Sequence, residues 1–157
     1  EPSTFGVDHL ARAKNRTTGW DGVRNFQARN FIRSMKKGDL AFFYHSSCDV
    51  PGIAGIVSIE REAYPDPYAL KKGHKYHDPD STADAPTWYA VDIAFVENFH
   101  GTVPLETLKA TKGLEQMVVT QKGSRLSIQP VTPAEYAIVV RLGRALAGAG
   151  ATRRMKR

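Results

Sequence analysis

Two short stretches of this sequence hold side chains of the types and spacing that do chemistry, and a third set could hold a flat ring. The segment HKYHD places His74, His77 and Asp78 close together, as metal ligands often are. It sits in a proline-rich stretch with no regular element to fix its geometry, and Cys48 is too distant along the chain to complete a zinc set. His45 and Cys48 lie three residues apart at a predicted strand end, the arrangement of a thiolate–imidazole pair. Neither a third orienting group nor an oxyanion motif accompanies them. A glycine-rich phosphate loop, a nucleophile elbow and a paired-carboxylate signature are also missing from the sequence. The expectation is a chain without metal, cofactor or catalytic centre.

The third set is aromatic. The chain has seven Phe, six Tyr and two Trp, and several of these fall at loops or strand ends. Trp20 stands in TTGWDGVRNFQARNF (17–31), between Gly19 and the Asp21-Gly22 pair, where its neighbours are small and polar. Tyr44 ends a predicted strand, Tyr64, Tyr68 and Tyr76 lie in or beside a long loop, and Trp88 opens a strand. A nucleobase stacked on an aromatic face gains about 1–3 kcal/mol per contact. Asn, Ser, His and backbone groups can read its edge, and arginines can hold the phosphates. For most of these rings core packing is the simpler role; Trp20 is the exception.

Charge points the same way. Residues 1–38 hold eight Lys/Arg against three acidic residues, and RRMKR at the end adds four basic residues. Residues 39–152 hold ten against thirteen. Positive charge at both ends of a chain of net charge +6 suits an anionic partner such as nucleic acid. No apolar run approaches the roughly 18 residues of a spanning helix, so a membrane partner is not expected. One cysteine excludes an internal disulfide and fits a reducing compartment.

The elements that must position these residues follow from periodicity. Ser3 or Thr4 caps a short helix to about Ala13, with Phe5, Val7 and Leu10 inward. NRTTGWDG reads as a loop. Ala28, Phe31, Ile32 and Met35 predict an amphipathic helix over 23–35, with Arg29, Arg33 and Lys36 or Lys37 opposite and Gly38 as its stop. LAFFYHS (40–46) reads as a buried strand, and CDVPG turns it into a hairpin with IAGIVSIEREAY (53–64). A polar loop over 65–86, with a helical turn at DPYALKK, precedes the strand TWYAVDIAFVENF (87–99). VPLETLKA and GLEQMVVTQ predict short helices and RLSIQ a strand. Thr132 and Glu135 form a capping box with Pro133 at the first helical position and Val131 as a staple to Tyr136. That last helix is expected to reach about Ala147, ahead of a basic disordered tail over 148–157. The whole is one domain over 1–147, a small sheet or barrel with helices around it.

GWDGVRNFQARNF, GDLAFFYHSSCDVPGIAGI, AYPDP, YHDP, WYAVDIAFVE and RLSIQPVTPAEY together resemble the EVE domain family of the PUA-like superfamily, from Glu1 to about Leu142. The resemblance implies an α+β fold, a PUA-like mixed β pseudo-barrel surrounded by helices. Family members begin with a strand ending in Lys-Ser-Glu-Pro, of which Glu1-Pro2 match, so the first strand is expected before Glu1. The family is also similar to the YTH domain, a reader of N6-methyladenine whose aromatic cage has a tryptophan wall matching Trp20. The implied function is a non-enzymatic reader of DNA or RNA that takes a modified cytosine or N6-methyladenine into an aromatic pocket. Trp20 is one wall, Tyr64, Tyr76 and Trp88 are alternatives for the second, and Tyr44, His45 and Ser46 line the floor. Val23 opens a helix whose N–H groups face the ligand, Asn25 pairs with a base edge, and Arg24, Arg29 and Arg33 hold phosphates. Asp21 is expected to cap the helix instead. An enzyme acting on a nucleotide or modified base, with His45 or Asp78 as acid or base, and a small-molecule or protein-binding module are the alternatives. The expected setting is intracellular: nuclear in a eukaryote, cytoplasmic in a bacterium.

Overall fold

The computed structural model describes residues 6–155 except Ser47, Ser124 and Arg125, with the backbone alone from Ala147 onward. Its elements are α1 (Val7–Arg12), β1 (Thr17–Trp20), α2 (Phe26–Ser34), β2 (Leu40–His45), β3 (Gly52–Pro65), β4 (Tyr89–Pro104), α3 (Leu105–Ala110) and α4 (Pro133–Met155). Single 3-10 turns cover Lys14–Arg16 and Val118–Thr120. The strands form one antiparallel sheet in the order β1-β4-β3-β2. This is the expected α+β class and is consistent with a PUA-like fold; among the described residues the sheet is open and wholly antiparallel.

Strand β4 is the spine, pairing with β1 along one edge and β3 along the other. Bulges between Ile53 and Gly55 and between Ile56 and Val57 shift the β3–β4 register and bend the sheet. Two clusters of buried side chains result. Phe43, Ala54, Val57, Ile59, Val91 and Ile93 pack with Val7 and Leu10 of α1 and with Val23, Ala28 and Ile32. Ile53, Ile56, Phe99 and Val103 pack with Leu108 of α3 and Val139 and Val140 of α4. Within β2, Phe43 serves the first cluster while Phe42 and Tyr44 serve the second, the alternation a pleated strand imposes.

Several boundaries differ from the sequence reading. NRTTGWDG is not a loop throughout, because TTGW pairs with β4 from Thr17↔Ala94 to Trp20↔Val91. Helix α2 starts three residues later than periodicity suggests. Val23 lies ahead of the helix, sunk into the core, and Asn25, not Asp21, is the N-cap, in extended geometry with its Oδ1 accepting from the Ala28 N–H at 3.0 Å. At the other end Met35 turns to extended geometry, so the helix stops before Gly38. Strand β2 forms the far edge of the sheet and leaves Leu40 exposed, contrary to the buried strand expected. Leu126–Gln129 of RLSIQ is not a strand, whereas Arg125 lies outside the described residues. Gly6 is the N-cap of α1, with its N–H donating to His9 Nδ1 at 2.8 Å; Ser3, Thr4 and Phe5 lie outside the described residues. The capping box of α4 is formed as expected, Thr132 N–H to Glu135 Oε1 at 2.9 Å and Glu135 N–H to Thr132 Oγ1 at 3.2 Å. That helix continues past Ala147 to Met155; AGAGATRR contains no proline, and five of its eight residues are alanine or arginine, strong helix formers.

Candidate nucleic-acid interface

Trp20 ends β1 at the sheet edge. Its indole meets Phe43 edge-to-face, with centroids 5.6 Å apart, and packs against the first core cluster. The outer side of the same short strand is a cleft of about 220 Å³, lined by Thr18, Gly19, Trp20 and Asp21. One wall of the tryptophan is therefore fixed by the core while its surroundings stay open.

Gly19 is an extended strand residue here, not a turn. A Cβ on it would lie 3.2 Å from the Tyr64 hydroxyl, so its bareness lets that ring approach the cleft. The Tyr64 hydroxyl donates to Asp92 Oδ1 at 2.5 Å, and the Arg61 guanidinium lies 3.9 Å from its ring centroid. Burial, this bond and the Asp92 charge together hold the phenol well above its ordinary value near 10. Asp21 is half-buried. Burial first, then the Asp66 carboxylate, pushes its pKa up, with Arg24 and His74 opposing.

Gly22 does turn the chain, at φ +77°, and a Cβ there would meet Tyr76 Cε2 at 2.9 Å. Beneath this turn lies Asp66, 1% exposed. Its Oδ2 accepts from the Gly22 N–H and from Arg24 Nη1, both at 2.9 Å, and its Oδ1 accepts from the Tyr68 N–H at 2.8 Å. Arg24 also donates through Nη2 to the Tyr76 carbonyl at 2.7 Å. Its guanidinium centre lies 5.3 Å from the Tyr76 ring centroid and 5.4 Å from that of Trp88. Its bonds to Asp66 and Tyr76 hold the 66–88 loop against the Trp20 turn, and Nη1 also donates to the Val23 carbonyl at 2.9 Å. The sequence does not single out Asp66; an acid between two prolines beside a strand end is the only local signal it carries.

The loop carries its own framework. Trp88 is buried, with its indole N–H donating to Asp78 Oδ2 at 2.7 Å, a bond that holds the Asp78 carboxyl below its usual range. Asp78 N–H returns to the Ala69 carbonyl at 2.9 Å, and Ser81 Oγ accepts from the Thr87 N–H at 3.0 Å. DPYALKK makes successive turns, Ala69 N–H to the Asp66 carbonyl and Leu70 N–H to the Pro67 carbonyl. His74 stacks on Tyr68 at 4.4 Å and accepts the Tyr76 N–H on Nδ1 at 3.1 Å. No group of three or more His, Cys, Asp or Glu able to hold a metal occurs among the described residues.

The predicted site residues do not all come together. Trp20 lies in the cleft, and Tyr64 stands beside it. Val23, Arg24, Asn25, Tyr76 and Trp88 build the adjoining wall: Val23 in the core, Asn25 as a cap, Trp88 with one face under Phe26 at 5.0 Å. Arg29 and Arg33 lie on the solvent side of α2, over the rings of Phe26 and Tyr89 at 4.9 and 5.0 Å. Tyr44 instead packs with the second cluster, and Ser46 is exposed beyond the strand end. His45 opens onto a separate cavity of about 350 Å³ shared with Val7, Asp8, Asn98, His100 and Thr102. There its Nε2 accepts the Val7 N–H at 3.1 Å. Cys48 Sγ approaches the His45 carbonyl at 3.9 Å, not the imidazole. Strand alternation turns Tyr44 away from Trp20, whereas His45 meets Phe43 edge-to-face at 5.6 Å but opens onto the other cavity.

Fold and cleft together define an α+β, PUA-like domain with a single tryptophan presented at a sheet edge. A family model described as the EVE domain matches residues 1–142, and the chain belongs to the EVE domain family. It is 46% identical over 145 residues to human thymocyte nuclear protein 1, covering 88% of this chain and 64% of that one, so it spans a little under two thirds of that relative. A solved protein from Pseudomonas syringae is 49% identical with a TM-score of 0.85, over 91% of this chain and 95% of its own. The human THYN1 protein, solved in complex with 5-methylcytosine-containing DNA, is 46% identical with a TM-score of 0.81, over 88% of this chain and 85% of its own.

Proposed function

We propose that this chain reads modified bases in nucleic acid, DNA first among its partners, by holding one base against Trp20 in the Thr18–Asp21 cleft. The observation that carries this reading is the similarity to a protein solved with 5-methylcytosine-containing DNA, joined to a tryptophan that lines an open cleft on a rigid strand. In the cleft the indole supplies a stacking face and a surface for a base methyl group. The Asp21 carboxylate is suited to accept from an exocyclic amine, the donor that cytosine offers at N4 and adenine at N6. The Tyr64 hydroxyl, held by Asp92, gives the cleft a fixed polar side. Arg29 and Arg33 are the phosphate contacts of choice, and Arg24 is the structural arginine.

The enzyme reading needs an acid or base at the ring. Of the two groups the sequence suggested for the role, His45 lies in the other cavity and Asp78 is engaged by Trp88 and the Asp80 N–H, while Asp21 is the carboxylate that lines the cleft. This placement supports a binding function.

The test is binding to matched oligonucleotides, unmodified or carrying 5-methylcytosine, 5-hydroxymethylcytosine or N6-methyladenine, each as DNA and RNA, with Trp20→Ala alongside. Preference for one modification by tenfold or more (about 1.4 kcal/mol) that vanishes in the variant is the expected result. Equal binding of all oligonucleotides, weakened only by salt, would remove the reader function.

A further inference from the structure

Phe26 is the most exposed large apolar side chain among the described residues, at 60%. It occupies the first position of α2, one residue after the Asn25 cap. Spacing of three and then four residues puts Phe26, Arg29 and Arg33 in one row on the helix, while Ala28 and Ile32 face the core. An apolar ring at the head of a row of arginines is costly to leave largely in water. Nor is it loose. The ring stacks on Trp88 with 26° between planes, and the Arg29 guanidinium lies over it while donating to the Thr87 carbonyl at 3.2 Å. Trp88 is in turn anchored by Asp78 and flanked by Arg24. Phe26 is thus a rigidly backed ring projecting from a basic face, six residues along the chain from Trp20, hence at most about 21 Å away.

We infer that Phe26 is a wedge for duplex DNA, entering the stack beside the base that Trp20 receives. The inference rests on the reading of the Trp20 cleft proposed above. Drawing a base out of a duplex leaves an unstacked step, and apolar side chains of this kind are used to fill such steps. Arg29 and Arg33 supply the phosphate contacts that seat the duplex on this face. A protein or lipid partner would find here an arginine row with one ring, too little apolar area for either.

Wedge and base pocket make separable demands. A single strand has no stack to fill, so it needs the pocket alone. The experiment compares Phe26→Ala, Phe26→Leu and Trp20→Ala with the unaltered chain on the same 5-methylcytosine sequence, as duplex and as single strand. A fluorescent purine beside the modified base reports unstacking directly. Phe26→Ala is expected to weaken duplex binding about tenfold, to change single-strand binding less than about twofold, and to lose the purine brightening on the duplex. Phe26→Leu, still apolar, retains most of both, and thermal melting of each variant without DNA records any loss of folding. Equal weakening on duplex and single strand, no weakening on either, or unchanged brightening would each overturn the wedge. Loss of the methyl preference in the unaltered chain would strike the Trp20 reading instead, and is seen apart from the duplex-to-single-strand ratio.

Discussion

Arg24 and Asp66, forty-two residues apart in sequence, form an ion pair at 2.9 Å in which the carboxylate side chain has no exposure and the guanidinium side chain 22%. The same carboxylate receives the Gly22 and Tyr68 N–H groups, so the cleft strand and the long loop share one fastening.

Removing one partner of such a pair strands the other, at a cost of about 3–5 kcal/mol. Asp66→Ala is expected to lose stability in that range by urea denaturation and to open 67–87 to limited proteolysis. The double variant Arg24→Met with Asp66→Leu is expected to recover part of the loss, because no unpaired charge remains. A Asp66→Ala variant as stable as the unaltered chain would show that the loop is held by other contacts.

Tyr64 provides a pH signature. Its folded pKa is raised, so the folded state keeps the proton that the unfolded chain loses near pH 10, and the associated stability is present below that pH and lost above it. Ultraviolet titration should find Tyr64 ionising after an ordinary tyrosine. Asp92→Asn removes both the charge and the charged acceptor and is expected to bring that ionisation down.

His45 titrates in the opposite direction. Burial lowers its pKa, with Asp8 opposing and His9 assisting, so the stability it contributes is present above the ordinary value near 6.5 and lost as pH falls through the lowered one. Protonation at Nε2 also displaces the Val7 N–H at the start of α1. Protection of the Val7 amide, measured against its intrinsic exchange rate, is therefore expected to fall in acid before that of the sheet amides, and His45→Gln is expected to flatten that dependence.

Asn25→Ala removes the cap of α2 and is expected to cost about 0.5–2 kcal/mol by denaturant unfolding, whereas Asp21→Ala leaves helix stability nearly unchanged. The reverse order would return Asp21 to the capping role its sequence position suggests.

Signals that act over three or four residues were readable from the sequence. Thr132 and Glu135 marked the start of α4, Ala28 and Ile32 marked the buried side of α2, and the hairpin of β2 with β3 followed from its short turn. What escaped reading depends on distant partners. TTGW has no alternating pattern and becomes a strand because β4 offers it a free edge. Asp66 looks like a turn aspartate until Gly22 and Arg24 are brought to it. The resemblance put Tyr44 and His45 on the floor beneath Trp20, yet Tyr44 faces the second cluster and His45, though it meets Phe43, opens onto another cavity. EVE membership was legible because long motifs carry it, whereas the cleft depends on how β1 meets the 66–88 loop.

The chain has two tryptophans, one beside an open cleft and the other sealed under Phe26 and bonded to Asp78. They amount to an optical gauge built into the protein. Emission from Trp20 should respond to whatever enters the cleft, while Trp88 reports on the Phe26 side of the surface and on the loop. Occupancy and loop integrity can therefore be followed in one cuvette, without a label, by comparing Trp20→Phe with Trp88→Phe.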